Sequence, residues 1–233
     1  MRVIGIIPAR MASTRFPGKP LAQIRGKSML LHVWMAAGMG SAILDPVFVA
    51  TADKEIIDWC EFIGIKYIVT RSDCRNGTER CHDAMRQLSN QPGDVVMNVQ
   101  ADEPMIRPES LDALARAFDD PEVDIASLCF APKSARMMSD RNRVKVLVGE
   151  GSDALGFARS ITAAPLWELY RIHVGVYAYR RDVLRRLAAM EPIGDLEQTA
   201  WMDAGLRIRM VEIPYETAAV DAPEDVARVE SMM

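Results

Sequence analysis

Three cations, Arg10, Arg15 and Lys19, stand in the segment PARMASTRFPGK (8–19), which contains no carboxylate. An arginine grips phosphate oxygens through two N–H groups at once, and a lysine adds a more mobile point charge. In a chain of formal net charge −4, such a local excess suits a polyphosphate better than an internal ion pair, because no acid is near in sequence. Gly18 and the small residues Ala12 and Ser13 expose backbone N–H groups, while Pro8, Pro17 and Pro20 stiffen the frame. The segment is not a P-loop, since RFPGKP has one glycine and no Ser or Thr after the lysine. A solvent-exposed basic turn is the plain alternative.

Two acidic segments complement the cations. NVQADEP (98–104) puts Asp102 at the tip of an apolar run with Glu103 beside it, and AVDAP (219–223) places Asp221 after another expected strand. Carboxylates at strand ends are common Mg²⁺ ligands when phosphates are substrates, so Asp102 and Asp221 are expected to share one ion. That ion would neutralise phosphate charge and orient the α-phosphorus for in-line attack. CRNGTER (74–80) offers Asn76, Gly77, Thr78 and Arg80; a turn with Thr78 as helix cap explains part of it cheaply. His173 and Tyr177, four apart in HVGVYAY, share one face of a strand. His32 and His82 read as structural. No His/Cys cluster points to zinc, no GxSxG elbow occurs, and no GxGxxG follows the first strand.

These residues need a frame. Val3–Ile7, PVFVAT (46–51), IKYIVT (65–70) and DVVMNVQ (94–100) read as strands, apolar on both faces. Between them KSMLLHVWMAAGMG, ending at Gly38 or Gly40, DKEIIDWCEFIG and GTERCHDAMRQL read as helices. In the second of these, Ile56, Ile57, Cys60 and Ile63 share a side. Helix PESLDALARAFDD and strand DIASLCF continue the alternation, which predicts a mostly parallel sheet covered on both sides. From about Pro132 the rhythm changes: RVKVLVGEGSDALGFAR and IHVGVYAYR read as strands with mixed pairing. Helices RDVLRRLAAM and LEQTAWMDAG, strand RIRMVEI and helix APEDVARVESM close the chain. One α/β domain over residues 1–233 with an inserted mixed-sheet element (about 132–205) fits best. Ligands of such sheets sit beyond the carboxyl ends of the strands, so loops 8–19, 70–78, 100–104 and 219–225 are expected to converge.

Composition sets the bounds. A pI near 5.5 and 26% charged residues speak against broad nucleic-acid binding without excluding a local basic cleft. Cys60, Cys74, Cys81 and Cys129 show no CxxC spacing, and the opening apolar run is cut short by Pro8. Reduced thiols, no leader and no membrane insertion are expected, hence a cytoplasmic protein.

IIPARMASTRFPGKPL, NGTER, NVQADEPMI, IHVGVYAYR, LEQ and VDAPEDV together, in this order, resemble the CTP-dependent cytidylyltransferases that make CMP-activated 3-deoxy-manno-octulosonate (CMP-Kdo synthetases). The resemblance runs from Val3 to near the C-terminus. It implies a doubly wound, mostly parallel nucleotide-binding sheet of the nucleotide-sugar transferase type. A small mixed-sheet element would make a homodimer. The activity implied is transfer of CMP from CTP to an oxygen of an acid, with release of pyrophosphate. By match, Arg10, Arg15, Lys19 and Asp102 would serve catalysis. Pro8, Ala9, Arg10, Lys19, Arg75, Asn76, Gly77, Thr78 and Gln100 would hold the nucleotide, and Asp102 and Asp221 would hold Mg²⁺. Gln100, Arg159, His173, Tyr177, Glu197 and Gln198 match acceptor-side positions.

The chain also departs from the pattern. A sugar-side segment near SRATIPWDRD and its following loop are reduced to ARSITAAPLWELYRIHVG, and an acidic LExxE segment is cut to EPIGD. Ala101 replaces the usual glycine, and NGT replaces SGT. A small anionic acceptor therefore competes with the sugar acid: a phosphonate such as phosphonoformate, gripped by Arg143, Lys145, Arg159 or Arg171. A catalytically silent nucleotide-binding scaffold is the reading from another class; it conflicts with retention of Arg10, Lys19, Asp102 and Asp221.

Overall fold

The computed structural model describes residues 1–88, 94–161, 164–191 and 196–233. The shortened stretches ITAAPLW and EPIGD fall partly at 162–163 and 192–195, outside the described residues. The strands are β1 (Val3–Pro8), β2 (Gln23–Ile24), β3 (Lys27–Ser28), β4 (Leu44–Thr51), β5 (Tyr67–Val69), β6 (Val95–Val99), β7 (Ile125–Phe130), β8 (Lys145–Val148), β9 (Ala154–Ala158), β10 (Tyr170–Arg180) and β11 (Ile208–Glu212). The helices are α1 (Met29–Trp34), α2 (Lys54–Ile63), α3 (Gly77–Gln87), α4 (Pro108–Arg116), α5 (Ala135–Ser139), α6 (Arg181–Ala188), α7 (Glu197–Asp203) and α8 (Glu224–Met232).

Among the described residues, nine strands make one sheet in the order β11-β7-β10-β6-β1-β4-β5, with β8 and β9 attached beside β10. β4, β5, β1 and β6 run parallel, as do β7 and β11. Alternate residues of β1 feed opposite cores: Val3 and Ile7 pack with α1, α2 and α4, while Ile4 and Ile6 pack with α3, α6 and α7. Period-two alternation into two apolar layers explains why these strands read as unbroken apolar runs. On α2, Ile56 and Cys60 are buried, but Ile63, expected on the same side, is 40% exposed at the helix end. The first helix continues past Trp34 as a π-helical turn, Met35–Gly40. A third small core, with Ile24, Met29, Val220 and Val229, seats α8 on the β2–β3 hairpin.

The mixed pairing expected after Pro132 centres on β10, which lies inside the main sheet, antiparallel to β6 and to β7. β6 ends at Val99 opposite Val176; farther along the same edge β8 takes over, pairing Lys145 with Ile172. The edge of β10 is therefore uncovered between its two partners, and the loop that follows β6 enters there. The register between β10 and β7 breaks between Val174 and Tyr177. Ser127 closes this bulge: its Oγ donates to the Val176 carbonyl at 2.8 Å and lies 2.9 Å from His173 Nε2. Ser127→Ala removes this buried hydrogen bond and leaves His173 Nε2 without its hydroxyl partner, and a loss of about 1–3 kcal/mol is expected. Urea denaturation checks it; an unchanged midpoint would remove Ser127 from this role.

Candidate active site

The carboxyl ends of β1 and β6 and the loop after β5 open into a cavity of about 710 Å³, and a second of about 420 Å³ adjoins it beside β10. Gln100, Asp102, Asp221, Arg10 and Arg15 line both. The first is lined by Arg10, Arg15, Lys19 and Arg80 against two carboxylates, Asp102 and Asp221, and by Pro8, Ala9, Asn76 and Gly77. The second is lined by His173, Tyr177, Glu197, Gln198, Arg75 and Arg159 among others.

The first loop is held by its own backbone. Gly18 N–H donates to the Met11 carbonyl at 3.0 Å, and Gly18 has φ 75°, a turn that favours glycine. Met11 N–H donates to Asp53 Oδ2 at 2.7 Å, fixing the loop to the end of β4. The cations are not unpaired as their sequence suggests. Lys19 Nζ donates to Asp102 Oδ2 at 2.6 Å and to the Val220 carbonyl at 3.0 Å, and Arg15 lies 2.9 Å from Asp221 Oδ1. Their partners come from loops some 80 and 200 residues away, so no local sequence window reveals them. Arg10 has no ion-pair partner among the described residues. Val220 N–H donates to the Asp102 carbonyl at 3.0 Å, and Asp225 accepts from the backbone N–H groups of Asp221 and Ala222. The first turn of α8 thus sets Asp221 across from Asp102.

Two hard carboxylate donors with room for phosphate and water oxygens fit Mg²⁺, which is commonly bound through one or two protein carboxylates. Among the described residues no group of three or more His, Cys, Asp or Glu forms a complete protein cage.

Several expected residues have different roles. Asn76, not Thr78, caps α3, accepting from Glu79 N–H at 2.8 Å. Thr78 is buried and donates to Glu197 Oε2 at 2.7 Å, so it does not line the nucleotide-side cavity. Arg75 lines the smaller cavity and pairs with Glu79 and Glu191. Of the cations offered as anion grips, Lys145 is fully buried and donates to the Asp140 and Arg159 carbonyls, while Arg143 pairs with Glu216 and Arg171 with Glu212. These are structural pairings. Arg143 and Arg159 do line the smaller cavity.

Protonation is set by burial. Enclosure pushes the His173 imidazole down to about 3, so it is neutral; its ring sits edge-on to Phe157 at 5.3 Å and near Tyr177 at 5.3 Å. Glu197 is raised by burial, opposed by the Thr78 hydrogen bond. Glu103, which sequence reading noted only as the neighbour of Asp102, is buried and pushed up to about 8, first by burial and then by Asp102. Its Oε1 accepts from Gly175 N–H at 3.1 Å in the bulge of β10, and its Oε2 has no partner among the described residues. Arg80 was also undervalued: its guanidinium is buried at the cavity wall and donates to Thr70 Oγ1 at 2.6 Å. Its place in GTER, one turn into a helix, was the available signal. All four cysteines are free and buried, and burial raises their thiols, Cys60 and Cys129 to about 12.

Comparison with known proteins agrees with this arrangement. The sequence model of the family described as Cytidylyltransferase matches residues 4–213. The chain is 38% identical to the 3-deoxy-manno-octulosonate cytidylyltransferase of Phocaeicola vulgatus over 250 positions, covering 100% of this chain and 98% of the relative. It is 35% identical to the mitochondrial 3-deoxy-manno-octulosonate cytidylyltransferase of Arabidopsis thaliana, covering 100% and 83%. A solved structure of CMP:2-keto-3-deoxy-manno-octonic acid synthetase complexed with CTP superposes with TM-score 0.88 at 36% identity, covering 100% of this chain and 98% of that one. A 4-diphosphocytidyl-2C-methyl-D-erythritol synthase from Anaerococcus prevotii, 12% identical with TM-score 0.65 over 99% of this chain and 95% of that one, shares the fold. A mostly parallel sheet opening into a cationic cleft, together with near-complete coverage at these identities, places the chain in the 3-deoxy-manno-octulosonate cytidylyltransferase family.

Proposed function

We propose that this protein transfers the cytidylyl group of CTP to an oxygen of 3-deoxy-manno-octulosonate, releasing pyrophosphate. The observation that carries this is the pair of adjoining cavities with one shared wall. The larger is cationic and suits a triphosphate; the smaller is lined by His173, Tyr177, Glu197, Gln198 and Gln100, hydrogen-bonding groups suited to a polyhydroxy acid. Lys145, buried against backbone carbonyls, and Arg171, paired with Glu212, line neither cavity, which leaves fewer grips for a small phosphonate and favours the sugar acid.

In this mechanism Arg10, Arg15 and Lys19 bind the triphosphate, with Lys19 and Arg15 already fixed by Asp102 and Asp221. Little reorganisation is then left for the transition state. Asp102 and Asp221 would hold Mg²⁺, which supplies charge neutralisation and polarisation of the phosphate. The shared wall at Gln100 and Asp102 brings the acceptor oxygen toward the α-phosphorus. There the acceptor oxygen forms a new bond to the α-phosphorus. The bond from the α-phosphorus to the oxygen bridging to the β-phosphate breaks, that oxygen leaves with pyrophosphate, and the hydroxyl proton passes to solvent. Placement of the enzyme in the cytoplasm, where CTP is made, belongs to the same reading; among the described residues no helix is long and apolar enough to cross a membrane. Leu155 and Leu169, 61% and 56% exposed on and beside the arm of β8, β9 and β10, are where we place a homodimer contact.

Pyrophosphate release from CTP and Mg²⁺ is expected with 3-deoxy-manno-octulosonate and not with phosphonoformate. Release with phosphonoformate alone would reverse the choice of acceptor, and CTP binding with no release for any acid would leave a scaffold. Asp102→Asn should lower kcat at least 100-fold; because it also removes the counter-charge of Lys19, the variant is first checked as folded by circular dichroism, and full activity would remove the aspartate from metal binding. Light scattering should give about twice the 25.9 kDa chain mass, and Leu155→Glu should shift it toward the monomer. His173 stays neutral when folded but titrates near 6.5 when unfolded. Stability should therefore fall as pH drops from about 6.5 toward 3, and His173→Gln should flatten that decline in urea midpoints.

A further inference from the structure

A chain of buried polar side chains joins the two cavities from behind. Thr78 Oγ donates to Glu197 Oε2 at 2.7 Å; Thr78 and Tyr179 place their hydroxyl oxygens 3.5 Å apart; Asn98 Nδ2 donates to Tyr179 Oη at 3.5 Å; and Gln100 Nε2 donates to Asn98 Oδ1 at 3.1 Å. Asn98 and Tyr179 are fully buried and Thr78 nearly so. Gln100 is also held from outside. Its amide lies over Gly77, where an added Cβ would stand 2.6 Å from Nε2.

The order of donors along this chain follows from one end. Glu197, as a carboxylate, only accepts, which uses the single hydroxyl hydrogen of Thr78. Tyr179 must then donate to Thr78, so its oxygen is free to accept from Asn98. Asn98 therefore turns Oδ1 toward Gln100, and Gln100 must present Nε2 inward. The two 3.5 Å links are weak as bonds, yet opposing two donors or two acceptors across them, out of reach of water, costs more than the bonds contribute. Gln100 Oε1 has no partner among the described residues and is not among the buried unpaired atoms. It is left on the wall that both cavities share.

We propose that Thr78, Tyr179 and Asn98 are positioning residues that fix Gln100 with its amide oxygen toward the shared wall, where it accepts a hydrogen bond from a substrate hydroxyl. The inference rests on the cytidylyl-transfer reading for its substrates, but the orientation of Gln100 belongs to the free protein. A hydroxyl can come from the acceptor or from the ribose of the nucleotide. A fully ionised acceptor without hydroxyls gains nothing at this position.

Tyr179→Phe removes the middle link and keeps the ring, which packs edge-on to Trp201 at 5.9 Å and stacks on Tyr177 at 6.0 Å. In the free protein labelled with ¹⁵N-glutamine, the Gln100 side-chain amide should exchange slowly with solvent. In Tyr179→Phe, checked as folded by circular dichroism, that exchange should be fast. With CTP, Mg²⁺ and 3-deoxy-manno-octulosonate, the variant should raise one KM about 5- to 10-fold with little change in kcat. A rise in the acceptor KM assigns the hydroxyl to the acceptor. A rise in the CTP KM, absent when 2′-deoxy-CTP is compared between the two proteins, assigns it to the ribose. Unchanged KM values for both substrates overturn the proposal, as does an unaltered Gln100 amide. If the wild-type protein transfers no cytidylyl group, the functional reading fails by itself, and the amide exchange still decides the positioning.

Discussion

One ammonium group organises the cleft. Lys19 Nζ bonds the Asp102 carboxylate and the Val220 carbonyl, joining the loop after β1 to the loop after β6 and the strap before α8. With its side chain 15% exposed, this contact is far less screened than a surface pair. Neither partner is well satisfied without the other: a half-buried carboxylate needs a counter-charge, and a half-buried ammonium needs acceptors. The cleft is therefore built with both signs of charge already opposed, and a bound polyanion meets fixed groups rather than loose ones.

The second constraint is the gap that opens where β6 stops and β8 has not yet begun. Without it the residues 100–103 would have no way into the edge of β10, and Glu103 could not reach Gly175 N–H. The gap also explains the two cavities: the cationic one lies over the parallel strands, the other along the uncovered part of β10. Burial pushes Glu103 up to about 8 and His173 down to about 3, so these two groups act through hydrogen bonds, while the charge on this side of the site comes from arginines such as Arg75, Arg143 and Arg159.

Much of this was readable in the residues. The parallel strands announced themselves because each is covered on two sides, and the cationic loop because it has no acid within reach of local structure. The mixed pairing after Pro132 was visible too, but not that β10 would run through the middle of the sheet, since strand order depends on contacts between distant segments. Thr78 was misjudged as a cap because Asn76, two residues earlier, supplies the better acceptor. Arg143, Lys145 and Arg171 carried charge that looked available, and only the tertiary structure supplied Glu216, two carbonyl groups and Glu212 to absorb it. Glu103 went unweighed because its burial comes from β10, some seventy residues later.

The bulge in β10 has a consequence for how this site can change length. Between Val174 and Tyr177 the strand takes three steps while β7 takes one, from Leu128 to Ser127. The surplus is even, so His173 and Tyr177 remain on one side of the sheet, against Cys129 and Ser127. A bulge takes up its extra residues locally and bends the strand, so the ladder resumes beyond it with its faces intact. The break between Val174 and Tyr177 is therefore the point at which this wall can take up a change of length while His173 and Tyr177 keep their places in the ladder.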